Sequence, residues 1–266
     1  MLLMILLAAL LLAVLLVLFL TAPRLPRRAM PEGLRGVDYA HRGLWNGARP
    51  ENSLAAFRTA HDAGFGVELD VHLAADGSLP VVHDSCLQRM CGDPRRIDDL
   101  TEPEWRALRL PDGSGLPSLP EALEACGGVP LIVELKEGRD HAALCERVLP
   151  MLRAYPGAWC VESFDPRVVR WLKRHAPEVF RGQLGYADRK QHTLRYRLMA
   201  AQVMNVLGRP DFIAWRAEDD GCLSMRLQRA LFRPHLVAWT VRSPGQLEAQ
   251  RDRWTLQIFE GFVPKR

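Results

Sequence analysis

Two charged pairs are the residues of this sequence best suited to chemistry, because each closes a short apolar, strand-like run. Glu68 and Asp70 end one run, and Glu134 and Lys136 end another. Residues i and i+2 of a strand point to the same face, so each pair presents two charges side by side. Burying such groups is costly unless they are paired or bind a metal. The pairs therefore predict a functional site.

Histidines and further cations accompany these pairs, again after strand-like runs. His41 and Arg42 follow one run, and His83 follows another. Histidines can act as general acid and general base near neutral pH. Arg42 and Lys136 are cations suited to a phosphate group, and an arginine can bind it through a bidentate fork.

Three of the acids suggest a metal site. Glu68, Asp70 and Glu134 offer hard oxygen donors, which suit Mg²⁺ or Ca²⁺, whereas zinc sites favour thiolates and imidazoles. Each motif is weak alone, but barrel enzymes assemble their sites at the carboxyl ends of strands, where all these residues are expected. Together the residues predict a metal-assisted phosphodiesterase.

The elements that position these residues alternate along the chain. Strand-like runs interleaved with helical patterns are typical of α/β proteins with parallel strands. The candidate strands are residues 37–40, 66–71, 79–82, 131–135, 159–163, 182–185, 212–215, 236–241 and 255–259. The run at 79–82 has no helix before it, so a hairpin with the preceding strand is the alternative for that segment. The length fits one TIM-type (β/α)₈ barrel or two small domains.

The N-terminus carries an uninterrupted apolar segment, since residues 2–20 contain no polar side chain. At ~1.5 Å per residue, a helix over this segment nearly crosses a ~30 Å hydrocarbon core. A cleaved signal peptide is the rival interpretation, but no cation precedes the segment, it exceeds the usual ~7–15 apolar residues, and it lacks a good cleavage site. Cations lie downstream instead, at Arg24, Arg27, Arg28 and Arg35. We therefore expect a single-pass anchor in the cell membrane with the following domain in the cytoplasm.

These features divide the chain into three expected parts: a transmembrane anchor at 1–22, a Pro- and Arg-rich juxtamembrane linker at 23–36, and a catalytic barrel at 37–266. The composition of the linker predicts a spacer that adds nothing to the core. The whole chain, at 48% hydrophobic and 25% charged residues, has enough apolar residues for a sizeable core.

Charge and cysteine content narrow the range of partners. The net charge of +4 is mild, and no basic stripe interleaved with aromatic residues is visible, so we expect no nucleic-acid partner. The six cysteines show no Cys-x-x-Cys spacing. They allow disulfides or buried thiols, of which buried thiols are favoured. The oligomeric state is left open by the sequence.

The order and spacing of the motifs resemble those of the glycerophosphodiester phosphodiesterase family over roughly residues 37–243. The matching segments are His41-Arg42-Gly43, Pro50-Glu51-Asn52-Ser53, Glu68-Leu69-Asp70-Val71, Asp76-Gly77, Val82-His83-Asp84, Pro117-Ser118-Leu119, Val133-Glu134-Leu135-Lys136, Ser163-Phe164-Asp165-Pro166 and Trp239-Thr240-Val241. The first half of this pattern is the more specific part.

The resemblance implies a TIM-type barrel, preceded here by one N-terminal transmembrane helix, that hydrolyses glycerophosphodiesters to glycerol 3-phosphate and an alcohol. Lysophospholipids, cleaved at the membrane surface to lysophosphatidic acid, are a second candidate substrate class for the same set of acids, histidines and cations. The implied cofactor is one divalent cation, Mg²⁺ or Ca²⁺, with Mn²⁺ as a third candidate. The implied site comprises metal ligands Glu68, Asp70 and Glu134, acid/base residues His41 and His83, phosphate-binding residues Arg42 and Lys136, and pocket residues Phe164 and Trp239.

Two other functions stay open at this point. Phospholipase D-like or C-like activity on intact lipids is suggested by the anchor and by the short connection at residues 84–118. That short connection is also expected to limit any insertion that shapes the glycerol pocket. A catalytically silent lipid-binding module is the other alternative, although no acid or histidine of the pattern is missing.

Several neighbouring residues have weaker expectations. Asp84 either orients His83 or caps a turn, whereas Glu51 and Asn52 are expected to brace the loop after the first strand. His72, like the other histidines outside the motifs, is expected at the surface or in packing.

The closing segment, residues 254–262, departs from the Gly-Val-Asp-Gly-like pattern usual in the family. No role is predicted for Glu260.

Overall fold

The computed structural model describes residues 1–187 and 193–265. Its central element is a closed barrel of eight parallel strands, each paired with its neighbours in chain order. This arrangement confirms the predicted TIM-type barrel. The strands are β1 (Tyr39–His41), β2 (Gly66–Val71), β3 (Leu131–Leu135), β4 (Trp159–Ser163), β5 (Arg181–Gly185), β6 (Phe212–Arg216), β7 (His235–Val241) and β8 (Leu256–Phe259).

One helix precedes the barrel, and the others surround it or lie within its loops. In chain order the α-helices are α1 (Leu2–Thr21), α2 (Leu54–Asp62), α3 (Gln88–Cys91), α4 (Glu102–Arg106), α5 (Leu119–Cys126), α6 (His141–Ala154), α7 (Pro166–His175), α8 (Leu194–Ala200), α9 (Asn205–Gly208), α10 (Leu223–Leu227) and α11 (Pro244–Ala249). A helix that the sequence predicts over 192–206 appears as α8 and α9, and residue 192 lies outside the described residues.

The core has two layers, as the alternation of side chains along a strand requires. One layer fills the barrel and includes Ile132, Phe212 and Ile258. The other lies between the strands and the surrounding helices and includes Leu69 and Val133. Residues of one strand therefore face both layers, which explains why the strands are apolar runs instead of alternating patterns.

Residues 79–82 form a hairpin with β2, which is the alternative given above for this segment, and are not a ninth barrel strand. Val71 forms an antiparallel bridge with Val81, and the His72 amide donates to the Pro80 carbonyl at 3.1 Å. The turn contains Gly77 at a φ of 84°, a backbone conformation that glycine adopts without strain.

The connection at 84–118 contains two short helices, α3 and α4, and a buried apolar cluster of its own. It contributes a third apolar cluster that includes Leu87, Ile97 and Trp105. Trp105 is fully buried, and its Nε1 donates to Ser78 Oγ at 3.0 Å. This cluster packs the connection into a compact segment beside the barrel mouth, which we call the flap.

Residues 23–36 contain no helix or strand, yet they pack against the amino-terminal end of the barrel. Leu34 is fully buried in the barrel-filling layer. Its carbonyl accepts a hydrogen bond from Tyr39 Oη at 2.6 Å. The expectation that this segment adds nothing to the core is therefore wrong, because one leucine among its prolines and arginines reaches the barrel interior.

Helix α1 is long and apolar enough to cross a membrane. Its side chains are exposed apart from partial shielding of Leu18, Leu20 and Thr21 in its last turn. That last turn is fastened to the barrel, since the Thr21 carbonyl accepts from Asn205 Nδ2 at 2.9 Å and from Gln228 Nε2 at 2.8 Å. The helix thus projects from the amino-terminal end of the barrel.

The six cysteines are free thiols, which confirms the preference for thiols over disulfides. Three of them, Cys126, Cys145 and Cys160, are buried.

Candidate active site

Strand register places the first site residues next to one another on adjacent strands of the barrel. His41 at the end of β1 lies opposite Glu68 of β2, and Asp70 of β2 lies opposite Glu134 of β3. Because neighbouring parallel strands are in register, these side chains meet at the carboxyl end of the barrel. The expected clustering of the motifs is therefore seen in the structure.

Three carboxylates form the centre of this cluster. Ligand atoms of Glu68, Asp70 and Glu134 all lie within 4.8 Å of one another, and all three side chains are buried. Burial and the neighbouring charges of Asp70 and Glu134 raise the pKa of Glu68 well above its ordinary value. Burial also raises the pKa of Glu134 to about 7, although Lys136 opposes the shift. Three crowded acids with oxygen donors fit a divalent cation, which would relieve this repulsion.

Lys136 provides the counter-charge within the cluster. Its Nζ lies 3.1 Å from Asp70 Oδ1 and 2.9 Å from Glu134 Oε1. Although burial alone would raise the pKa of Asp70, Lys136 and other nearby cations hold it well below its usual range. Lys136 is thus buried next to the acids, where it is able to meet an anionic ligand.

Arg42 occupies a constrained backbone position directly after β1. Its φ of 57° is rare for a residue with a side chain, and its amide donates to Glu68 Oε2 at 3.0 Å. Its guanidinium donates to Glu51 Oε1 at 2.8 Å and lies 3.5 Å from Asp70 Oδ2. The atom closest to Asp70 is Arg42 Nε, which is buried and makes no hydrogen bond among the described residues.

Glu51 and Asn52 brace this region, as expected. Asn52 Nδ2 donates to Asp70 Oδ2 at 2.8 Å, and the Asn52 amide donates to the Arg42 carbonyl at 2.9 Å. Arg89 from α3 donates to both oxygens of Glu51, at 2.6 and 3.1 Å. These bonds fix the loop after β1 relative to the acids on β2.

His41 is held by a residue that had no predicted role. Its Nδ1 hydrogen-bonds the carboxylate of Glu260, which directly follows β8, and its Nε2 lies 3.9 Å from Glu68 Oε2. Burial lowers the pKa of His41, while the Glu260 hydrogen bond raises it in part. The available signal for Glu260 was its position directly after the last strand, as Arg42 directly follows β1 and Lys136 directly follows β3.

His83 is oriented in a similar way by its neighbour in sequence. His83 Nδ1 lies 2.7 Å from Asp84 Oδ1, and Arg89 Nε donates to Asp84 Oδ2 at 2.5 Å. Two roles were considered for Asp84, and its contact with His83 Nδ1 is the one expected if it orients His83. Beneath it lies His72, only 2% exposed, whose Nε2 is 3.3 Å from the His83 carbonyl.

A fourth carboxylate, Glu162 of β4, was missed. It lies opposite Glu134 in the register of β3 and β4 and is 2% exposed. Burial and the charge of Glu134 raise the pKa of Glu162 well above its ordinary value. The sequence signal for Glu162 was its place inside an apolar strand. A buried acid there either belongs to a functional site or is protonated, because an unpaired buried carboxylate is costly.

The opposite side of the barrel mouth is aromatic. Phe164 after β4 and Trp239 of β7 meet edge to face with ring centroids 5.5 Å apart. Tyr186 after β5 contacts both, at 6.0 Å from Phe164 and 6.2 Å from Trp239. These rings form an apolar wall facing the polar half of the mouth.

A cavity of about 870 Å³ opens between the flap and the loop after β3. His83 and Lys136 line it together with Arg89, Arg96 and Arg139. Arg89 and Arg96 of the connection at 84–118 thus line a cavity next to His83 and Lys136.

Comparisons with known proteins agree with this geometry. The sequence pattern of the Glycerophosphoryl diester phosphodiesterase family matches residues 41–258. A glycerophosphodiester phosphodiesterase of Caldanaerobacter subterraneus subsp. tengcongensis is 31% identical over 164 residues, which cover 57% of this chain and 67% of that protein. A Bacillus altitudinis glycerophosphodiester phosphodiesterase is 42% identical over 69 residues, 26% of this chain and 28% of that protein.

Solved structures show the same barrel. A glycerophosphodiester phosphodiesterase from Thermotoga maritima has a TM-score of 0.65 at 25% identity, over 84% of this chain and 94% of that one. A phosphodiesterase from Oleispira antarctica, solved in complex with the product sn-glycerol-3-phosphate, has a TM-score of 0.68 at 20% identity. That match covers 85% of this chain and 93% of that one.

Proposed function

Because the chain belongs to the glycerophosphoryl diester phosphodiesterase family, whose members are phosphoric diester hydrolases, we propose that it cleaves glycerophosphodiesters to glycerol 3-phosphate and an alcohol. The observation that carries the proposal is the meeting of three buried acids, two histidines and two cations at one end of the barrel. A structural role does not explain such a concentration of charge.

The acids are proposed to hold one divalent cation, Mg²⁺, Ca²⁺ or Mn²⁺. Glu68, Asp70 and Glu134 would supply its oxygen ligands, and the bound cation would neutralise charge on the phosphoryl oxygens. Replacing one carboxylate by its amide, as in Glu68→Gln or Glu134→Gln, should weaken metal binding, and excess cation should partly restore activity. Asp62→Asn on the exposed end of α2 is the matched control, because it removes one acid far from the cluster.

The two histidines are proposed to move the protons of the reaction. One takes the proton of the attacking hydroxyl as its oxygen bonds to phosphorus, and the other gives a proton to the departing alkoxide as the P–O bond breaks. If water attacks, this single step gives glycerol 3-phosphate. If a glycerol hydroxyl attacks, it gives a cyclic phosphate, which water then opens to glycerol 3-phosphate with the two proton transfers reversed. His41 and His83 suit this work because Glu260 and Asp84 hold their Nδ1 atoms and leave Nε2 for proton exchange. Arg42 and Lys136 are proposed to bind the phosphate, and Phe164 and Trp239 to line the alcohol side.

Helix α1 is proposed to remain in the mature protein as a single-pass membrane anchor. Its docking supports this, because cleavage would leave Asn205 and Gln228, which are 1% and 2% exposed, without their Thr21 partner. Arginines at 24, 27, 28 and 35 favour a cytoplasmic barrel. No nucleic-acid partner is proposed.

The position of the anchor also bears on the substrate. Helix α1 joins the barrel at the amino-terminal ends of the strands, whereas the acids lie at the carboxyl ends. The mouth therefore faces away from the bilayer to which the chain is anchored. This arrangement favours water-borne glycerophosphodiesters over lysophospholipids or intact lipids of that membrane.

A panel of diesters tests the proposal. The purified full chain in detergent with Mg²⁺, Ca²⁺ or Mn²⁺ should release glycerol 3-phosphate from glycerophosphocholine or a related diester. Release of phosphatidic acid or diacylglycerol from intact lipid would instead indicate phospholipase D-like or C-like activity. Binding without turnover under every metal would indicate a silent lipid-binding module.

A further inference from the structure

A second cavity, remote from the acids, lies where α1 meets the barrel. It has a volume of about 630 Å³ and is lined by residues of α1, the linker, α7, the start of β5 and the segments before β5, β6 and β7. Four cations line it, namely Arg24, Lys173, Arg181 and Arg209, and none of the described lining residues is acidic.

The four cations converge on one loop. Lys173 Nζ donates to the Leu207 carbonyl at 3.4 Å, and Arg181 donates to the Gly208 and Arg209 carbonyls, both at 3.1 Å. Among the described residues, Asp211 is the one acid that pairs with the group, at 3.2 Å from Arg24 and 3.5 Å from Arg181. One acid cannot balance four cations, so the cavity keeps an excess of positive charge.

One of these cations is buried. Arg181 is 3% exposed, and its Nη1 makes no hydrogen bond among the described residues but lies 3.5 Å from the Asp211 carboxylate. Burying a guanidinium is costly unless an anion or acceptor satisfies it. Arg181 shares this one anion with Arg24, which leaves the cavity positively charged toward an anionic ligand.

The remaining wall of the cavity is apolar and continuous with the membrane helix. Phe19 at the end of α1 is 59% exposed, and Leu25 just beyond it is 58% exposed. The Arg209 guanidinium lies over the Phe19 ring at 4.6 Å and donates to the Phe19 and Ala22 carbonyls, both at 2.8 Å. Cationic and apolar surfaces thus meet at the level where a membrane-spanning α1 would leave the bilayer.

We infer that this cavity binds the phosphate head group of an anionic phospholipid, with the acyl chains lying along α1. The inference rests on the proposed retention of α1 as an anchor. A free phosphate offers the same anionic oxygens, but it would leave the exposed Phe19 and Leu25 uncovered, so a lipid fits better. Clusters of Lys and Arg next to a membrane span are suited to such lipids.

A titration of the full chain in neutral detergent micelles tests the inference. Dihexanoyl-phosphatidylglycerol should raise the unfolding midpoint Tm in a saturable way, because a ligand of the folded state stabilises it. Dihexanoyl-phosphatidylcholine and inorganic phosphate at the same concentrations should raise Tm much less. A Tm rise with inorganic phosphate or with the zwitterionic lipid as large as with phosphatidylglycerol would overturn the inference, as would no rise at all.

Two double variants distinguish lipid binding at the cavity from a general effect of positive charge elsewhere on the protein. Arg24→Gln with Lys173→Gln removes two cavity cations, whereas Arg27→Gln with Arg174→Gln removes two cations from the same linker and helix outside the lining. The first variant should weaken phosphatidylglycerol binding by roughly fivefold per cation, and the second should match the wild type. Equal weakening in both would overturn the inference.

Two controls keep the result interpretable. Both variants should keep wild-type turnover of a water-soluble diester, since the cavity lies at the opposite end of the barrel. If the first variant fails to fold, Lys173→Gln alone, at an exposed position of α7, serves in its place. Recovery of a chain that lacks α1 from cells would contradict the anchor proposal, whereas the titration reports on the cavity of the uncleaved chain.

Discussion

His41 and His83 lie at the centre of the residue-scale account, because cleavage of a diester with a poor leaving group needs two proton transfers. Each ring has a carboxylate on Nδ1, from Glu260 and Asp84. A carboxylate in this position fixes the tautomer and orients the ring for exchange through Nε2.

Replacement of either histidine by alanine should lower turnover by roughly 10²–10⁴-fold, the usual contribution of general acid–base catalysis. Metal affinity should change little, since neither ring is proposed as a ligand. The leaving group of a nitrophenyl phosphodiester departs without being protonated. This substrate should therefore restore the turnover of the variant that has lost the general acid, and not that of the variant that has lost the general base. Near-wild-type rates of both variants on glycerophosphocholine would contradict the two-histidine mechanism. His141→Ala, outside the cluster on α6, is the control.

Glu260→Gln should lower turnover by roughly 10–100-fold, as expected for a partner that orients a functional ring. It should also move one limb of the pH–rate profile to lower pH, because the Glu260 hydrogen bond raises the pKa of His41 against the effect of burial. A shifted acidic limb identifies His41 as the base, and a shifted basic limb identifies it as the acid. An unchanged profile would show that Glu260 does not act through His41.

At the scale of elements, the ends of the strands explain both the success and the limits of sequence reasoning. Glu68, Asp70 and Glu134 could be predicted because each closes an apolar run, and parallel register then brings them together. Glu260 also follows a strand, but its role as the partner of His41 could not be predicted, because the two residues are 219 positions apart and only barrel closure joins them. Leu34 was hidden by the charged, proline-rich residues around it.

Leu34→Ala should lower the free energy of unfolding by about 2–5 kcal/mol, the usual cost of truncating a fully buried leucine. Leu25→Ala is the matched control in the same segment, because Leu25 is 58% exposed, and it should change stability by less than about 0.5 kcal/mol. Thermal unfolding of the two variants in neutral detergent is the measurement. Equal midpoints would show that residues 23–36 are a loose spacer.

At the scale of the whole molecule, the barrel has two ends with different tasks. Acids, histidines and the aromatic wall occupy the carboxyl end, whereas the amino-terminal end holds the last turn of α1 and the four cations of the second cavity. The proposed anchor and the proposed substrate site therefore lie at opposite ends of the barrel.

The proposed anchor predicts how the chain lies across the membrane. Full-length protein should stay in the membrane fraction with residues 2–20 intact, and protease added to intact cells should leave the barrel uncut, since the arginines after α1 favour a cytoplasmic domain. Protease added after cell lysis provides the control for accessibility. A shortened, soluble domain outside the cytoplasmic membrane would show that the segment is a cleaved signal.

The release of glycerol 3-phosphate from glycerophosphocholine by the full chain, first treated with EDTA and then supplied with Mg²⁺, Ca²⁺ or Mn²⁺, tests the central claim most directly. The site predicts no release in EDTA and restored release with at least one cation. It also predicts that this cation binds more weakly below pH 7, because the pKa of Glu134 is raised to about 7 and its proton competes with the metal. Full release in EDTA, or none with any cation, would contradict the account.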